Sequence, residues 1–223
     1  MNSWVTRLLT SSIGQKWIMA LSGLFMILFL FGHLTGNLLV FAGPEAIDTY
    51  AETLRKFPLA LWVFRLLTVA ALFAHVWSAI SLTRRNRAAS PASYTASKWS
   101  GSTWSSRNMG MTGFVILLYI IYHLAHFTWR LTHPELFADL GDFAVYQMVV
   151  LSFQQTWLVG LYVLATFTLC LHLNHAVSSS VQTLGINHPK YNAAIKCAGG
   201  AVAIILFLGF SSIPVSVLLG ILK

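Results

Sequence analysis

Long stretches without a charged residue alternate along this chain with short connections in which the charges collect. No charge occurs between Lys16 and Glu45, none between Arg107 and Arg130, and none between Asp142 and Lys190. A membrane-spanning helix needs roughly 20 apolar residues. The pattern therefore predicts five spans, at 17–42, 59–83, 108–129, 155–177 and 197–222. Arg65 lies near one end of the second, where its side chain can snorkel. Pro214 lies near the end of the fifth, where a kink is tolerated. The first apolar run, from Trp17, is too long for a signal-peptide core, so no cleavable signal is expected. The expected fold is all-α: one domain over residues 1–223, a five-transmembrane-helix bundle with no repeat of 20 to 50 residues.

Composition agrees with that pattern. Of 223 residues 57% are hydrophobic and only 9% charged, against about 25% charged in a soluble domain. The mean hydropathy is +0.70. Continuous apolar runs indicate helices rather than the alternation of a barrel. The two cysteines, Cys170 and Cys197, form no Cys-x-x-Cys and cannot build a zinc or thiolate-cluster site. A net charge of +8 would suit nucleic acid, but the basic residues lie in the connections, where topology explains them and no nucleic-acid partner is expected.

Sorting the connections by side separates the charges. Arg7, Lys16, Arg84, Arg85, Arg87, Lys98, Arg107, Lys190 and Lys196 share one side with no acid. The other side holds Arg55, Lys56, Arg65, Arg130 and Lys223 with all six acids: Glu45, Asp48, Glu52, Glu135, Asp139 and Asp142. The positive-inside rule then predicts a cytoplasmic N-terminus and a C-terminus outside. The connection from Arg84 to Arg107 carries Trp99 and Trp104 among its basic residues. It reads as an interfacial segment against anionic lipid, as part of a docking surface for a cytoplasmic partner, or as cover for a buried cofactor edge.

Four histidines lie inside four different spans, where an ionisable group is expensive and functional by default. His33 is 17 residues beyond Lys16 and His123 is 16 beyond Arg107, roughly 25 and 24 Å deep at 1.5 Å per residue. His75 is 9 residues before Arg84, and His172 about 8 before Ser180, roughly 13 and 12 Å deep. Two levels with two imidazoles each suit two bis-histidine b haems stacked across a membrane. No Cys-x-x-Cys-His is present for covalent attachment. The competing readings are helix–helix hydrogen bonding by single histidines, a copper or zinc site, which would need clustered ligands, and a proton relay, which would normally use acids that the spans lack. His126 and His175 follow His123 and His172 by three residues on the same faces. They compete for the ligand role; near the outer and inner interfaces, they would instead bond a propionate, a quinone or lipid headgroups. His133 and His188 read as loop residues. Gly23 and Gly113 lie ten residues before His33 and His123, at the inner level. They either make room for the inner porphyrin or serve ordinary small-residue packing.

The segments Ser22-Gly23, Phe31-Gly-His-Leu-Thr-Gly-Asn37, Phe73-Ala-His-Val76, Ser106-Arg-Asn-Met-Gly-Met-Thr-Gly113, Tyr122-His-Leu124, Tyr162 and Leu171-His-Leu173 carry a resemblance over essentially the whole chain. It resembles the single-subunit, five-helix dihaem cytochrome b anchor of succinate dehydrogenases and fumarate reductases. The resemblance implies a multi-pass subunit of a bacterial cytoplasmic (inner) membrane, bound to a flavoprotein subunit and an iron–sulfur subunit on the cytoplasmic side. It implies His75 and His172 as ligands of the inner (proximal) haem and His33 and His123 of the outer (distal) one. It further implies electron exchange with a membrane quinone, usually menaquinone, and a quinone-reacting role within the complex without a dicarboxylate site in this chain. Acids near the outer end of the first two helices make Glu45, Asp48 and Glu52 the quinone-site candidates, their alternative being simple solvation. Where some relatives place a glutamate two residues before the proximal ligand this chain has Cys170, a departure that counts against a carboxylate-assisted proton route. Arg107 ranks first among candidate propionate donors, with Trp104, Lys98, Gln15 and Ser22 behind it. The other functions to weigh are the cytochrome b of a hydrogenase or formate dehydrogenase, and a non-redox scaffold or transporter subunit.

Overall fold

The computed structural model describes residues 4–89, 104–141 and 144–223, and the described residues form helices and no strands. Lys98 and Trp99 in the basic connection, and Asp142, lie outside them. Helix α1 (Trp4–Thr10) leads into α2 (Ser12–Leu38), which tightens into a 3₁₀ turn over Leu39–Ala42. Then come α3 (Pro44–Arg55), α4 (Pro58–Ala89), α5 (Trp104–Arg107) and α6 (Met109–His123). Helix α6 widens into a π-helical turn at Leu124–Thr128. A 3₁₀ turn at Pro134–Leu136 precedes α7 (Val145–Phe153), α8 (Thr156–Thr183) and α9 (Pro189–Leu218). Five of these helices, at Ser12–Ala42, Pro58–Ala89, Met109–Thr128, Thr156–Thr183 and Pro189–Leu218, are long and apolar enough to cross a membrane.

Helix ends follow local chemistry rather than the charge boundaries. The Ser11 hydroxyl accepts from Gly14 N and starts α2 ahead of Lys16. Proline occupies the first position of α3, α4 and α9, where its missing N–H costs nothing. The fifth span is helical from Pro189, not 197, because the His188 ring accepts from Lys190 N and caps it. It ends at Leu218, short of the expected 222.

Helix α2 packs against α4, α8 and α9, while α8 lies between α9 and α6. Close approach is built on glycine: a Cβ at Gly209 of α9 would come within 2.6 Å of the Leu34 side chain on α2. Helices α8 and α9 also share a hydroxyl bond, Thr166 to Ser211 at 2.9 Å. One apolar core (Val40, Ile47, Val150, Phe153, Leu158, Ile213) joins α3, α7, α8 and α9 to the end of α2. Outward-facing Leu28, Phe73, Phe114 and Leu164 remain exposed, an apolar belt of the kind lipid covers.

The two ends of the bundle are tied off differently. At the cation-rich end the buried Gln15 amide donates to Leu9 O at 2.8 Å and accepts from Ser81 Oγ at 3.0 Å, and Arg85 donates to Thr10 O. Gln15 thus knots α1, α2 and α4 together. At the acid-bearing end Asp48 of α3 accepts from Tyr146 N at 2.9 Å, capping α7 from a neighbouring helix. Tyr146 Oη in turn donates to the carbonyl of Lys223 at 3.2 Å.

Candidate functional site

His75 on α4 and His172 on α8 meet across a gap between helices that make no extended contact. Their ring centres are 6.5 Å apart with the planes at 63°. The Ser22 hydroxyl donates to Ile18 O at 2.6 Å, so it does not donate to His75. His75 Nδ1 therefore carries the proton, which it gives to Met19 O at 3.0 Å, with Ser22 Oγ at 3.4 Å as a second acceptor. The Thr112 hydroxyl is likewise spent on Asn108 O and Met109 O, at 3.1 and 3.2 Å, and receives the His172 Nδ1 proton at 3.0 Å. Both rings thus keep Nε2 unprotonated, the state a metal ligand requires.

Gly23 and Gly113 stand at this level. A Cβ at Gly23 would lie 3.2 Å from His75 Cε1, and one at Gly113 3.4 Å from His172 Cε1. The group nearest each missing side chain is therefore an imidazole of the neighbouring helix. Two helical hairpins, α2–α4 and α6–α8, repeat the same parts. Ser22-Gly23 or Thr112-Gly113 seats a histidine from the second helix, and a further histidine follows ten residues after the glycine, away from the cation-rich end. Gly23 and Gly113 are 90 residues apart, as are His33 and His123. That spacing is longer than the 20 to 50 residues of a solenoid-type repeat.

His33 on α2 and His123 on α6 form the second pair, ring centres 5.9 Å apart and planes at 84°. Phe29 stacks on His33 at 5.4 Å, and Phe210 approaches at 5.9 Å. Tyr119, Phe127 and Tyr162 surround His123. The ten-residue step from either glycine to its outer histidine sets the two pairs about 15 Å apart along the helices.

An imidazole nitrogen binds a first-row metal at about 2.0–2.1 Å, and its ring centre lies about 1.1 Å further, so two imidazoles sharing one metal have centres about 6.2 Å apart. Both pairs stand at that spacing. Among the described residues no three of His, Cys, Asp and Glu gather as a metal cluster. Each pair has the ring-centre spacing of two imidazoles sharing one metal, and two imidazoles alone would suit a metal whose remaining ligands come with a macrocycle. Ser78 fits the same group. It lies one turn along α4 from His75, wholly buried, and its hydroxyl has no partner among the described residues.

The remaining sequence candidates are scattered. Asp48 caps α7, Glu52 pairs with Lys56 at 3.0 Å on the exposed face of α3, and Glu45 is exposed in its first turn. Arg107 ends α5 with its side chain exposed, next to the start of α6, and Trp104 is about half exposed. Ser22 supports His75, and Gln15 is committed to the end knot. Cys170 is half-buried and, like Cys197, a free thiol. His175 is half-buried with its carbonyl accepting from Ser178 Oγ. His133 lies between His126 and Trp157 and reaches Glu135 at 3.3 Å. His126 departs from expectation: it is wholly buried and bonded to Tyr162 and Ser152 rather than turned to an interface. Its spacing from His123 marked the shared face, but nothing in the sequence named the hydroxyls that hold it.

Protein-family models, curated proteins and solved structures offer no match to this chain.

Proposed function

We propose that the chain is the membrane-anchor cytochrome b of a succinate:quinone oxidoreductase, carrying electrons between cytoplasmic iron–sulfur and flavoprotein subunits and a membrane quinone, menaquinone by resemblance. The observation that carries the reading is the pair of two-histidine sites, each drawn from both hairpins, with ring centres 6.5 and 5.9 Å apart. His75 and His172 would hold the inner b haem, and His33 and His123 the outer one. When bound, haem supplies a one-electron carrier at each level.

The chain's own residues do the rest. Met19 O and Thr112 Oγ1 orient the inner imidazoles, and Gly23 and Gly113 let the rings stand close to the neighbouring helices. Phe29, Phe210 and Tyr119 exclude water from the outer pair. Arg107, at the cation-rich end, is the proposed donor to a propionate. The acids of α3 mark the end where a quinone's protons would exchange with water, with Glu52 and Glu45 exposed there and Asp48 engaged in capping. The proposed orientation puts the cation-rich end in the cytoplasm of a bacterial inner membrane, where the basic connection would meet lipid headgroups and the partner subunits.

Purification on a tag carried by this chain tests the reading. The expected result is co-purification of a flavoprotein and an iron–sulfur protein, with succinate reducing a b-type absorbance. Haem bound without succinate-oxidising partners would assign the chain to another respiratory complex, such as a hydrogenase or formate dehydrogenase. Neither haem nor partners would leave a scaffold or transporter subunit.

A further inference from the structure

His126 is wholly buried, and both its nitrogens are engaged. Immediately after His123 the helix widens, and Trp129 N bonds Leu124 O at 2.8 Å, five residues back. This π turn carries His126 into a pocket closed by the rings of Phe127, Phe137 and His133. Such turns are frequent at functional sites.

The donors leave one arrangement. Ser152 Oγ donates to Met148 O at 2.6 Å, so it accepts from His126 Nε2 at 3.3 Å. His126 Nδ1 is then a bare acceptor, and the Tyr162 hydroxyl donates to it at 2.8 Å. With its proton so directed, Tyr162 Oη is free to accept from His123 Nδ1, which lies 3.5 Å away. Every bond points the same way, from His123 through Tyr162 and His126 to Ser152 and a backbone carbonyl. The chain crosses three elements, the end of α6, α8 and α7. The inner histidines are held by shorter links: His75 gives its proton to a backbone carbonyl, and His172 to the Thr112 hydroxyl, which donates straight on to backbone carbonyls of its own helix.

We infer that His126 and Tyr162 are positioning residues for the outer site, a one-way hydrogen-bond chain that fixes the His123 tautomer and raises the electron density of that imidazole. The inference rests on the reading of His123 as a haem ligand. An imidazole whose Nδ1–H is bonded to an acceptor is a more basic ligand, and an acceptor that has itself donated its proton is a stronger one. A more basic ligand favours ferric iron. The chain therefore lowers the potential of the outer haem and leaves the inner one untouched.

Redox titration of the purified complex, following the two haem bands separately, tests this. Tyr162→Phe removes one oxygen and keeps every ring contact. It is expected to retain both haems and shift the outer midpoint potential upward while the inner stays fixed. His126→Leu is expected to shift it the same way. His126→Gln, which can accept from Tyr162 and donate to Ser152, is expected to restore it. Outer potentials unchanged in both Tyr162→Phe and His126→Leu would overturn the inference while two bound haems kept the functional reading standing. Loss of the outer haem in His126→Leu with its retention in His123→Ala would make His126 the ligand and overturn it too. Absence of haem from the native complex would instead refute the functional reading itself.

Discussion

At the scale of single residues, the His75–His172 pair is governed by what stands behind each imidazole. The Nδ1 proton of His75 is taken by Met19 O and that of His172 by Thr112 Oγ1, so both rings keep a bare Nε2. Gly113 is part of the same device, its absent side chain leaving 3.4 Å to His172 Cε1. A leucine there has to push the ring away. Gly113→Leu is expected to weaken inner haem binding about 10–100-fold, the usual effect of disturbing a ligand's support, with the outer haem unaltered. Haem-resolved visible spectra would check this, and an undisturbed inner band would refute it. The four span histidines were legible in the sequence because an imidazole in an apolar run is conspicuous. The Tyr162–His126–Ser152 chain was not. Its members come from three elements, and hydroxyl direction is decided by carbonyls such as Met148 O that leave no trace in spacing.

At the scale of elements, runs free of charge located five helices but misplaced their ends. Charge marks where a chain leaves lipid, whereas capping marks where a helix stops. Hence α9 starts at its His188 cap, before Lys190 and Lys196, and α2 at its Ser11 cap, before Lys16. The short helices α3 and α7 fell in stretches read as connections, because neither is long enough to register as a span. Their docking explains Asp48, whose carboxylate satisfies the start of α7. Removing a helix cap costs typically about 1 kcal/mol. Asp48→Ala is expected to lower stability by about that amount in detergent unfolding and to leave the haem spectra unchanged. An altered haem band with unchanged stability would return Asp48 to the chemistry of the outer end.

At the scale of the whole molecule, the bundle is two hairpins that each bring one histidine to each level, with α9 packed against α8 and α2. Neither hairpin completes a site alone: His75 needs His172, and His33 needs His123. The matched depths were readable from rise per residue, since straight helices preserve distance along the chain. Which helices pack directly was not, because the close contact of α2 with α8, and the lack of extended contact between α4 and α8, leave no mark in the spacing. Separate sites on a shared frame mean that losing one pair should spare the other. The most direct test is the haem content per chain, by pyridine haemochrome assay, of the native complex and of the single substitutions His33→Ala, His75→Ala, His123→Ala and His172→Ala. The account predicts two b haems in the native protein and one in each variant, with His75→Ala and His172→Ala losing the same spectral component. A native protein without haem, or variants that all keep two, would contradict it.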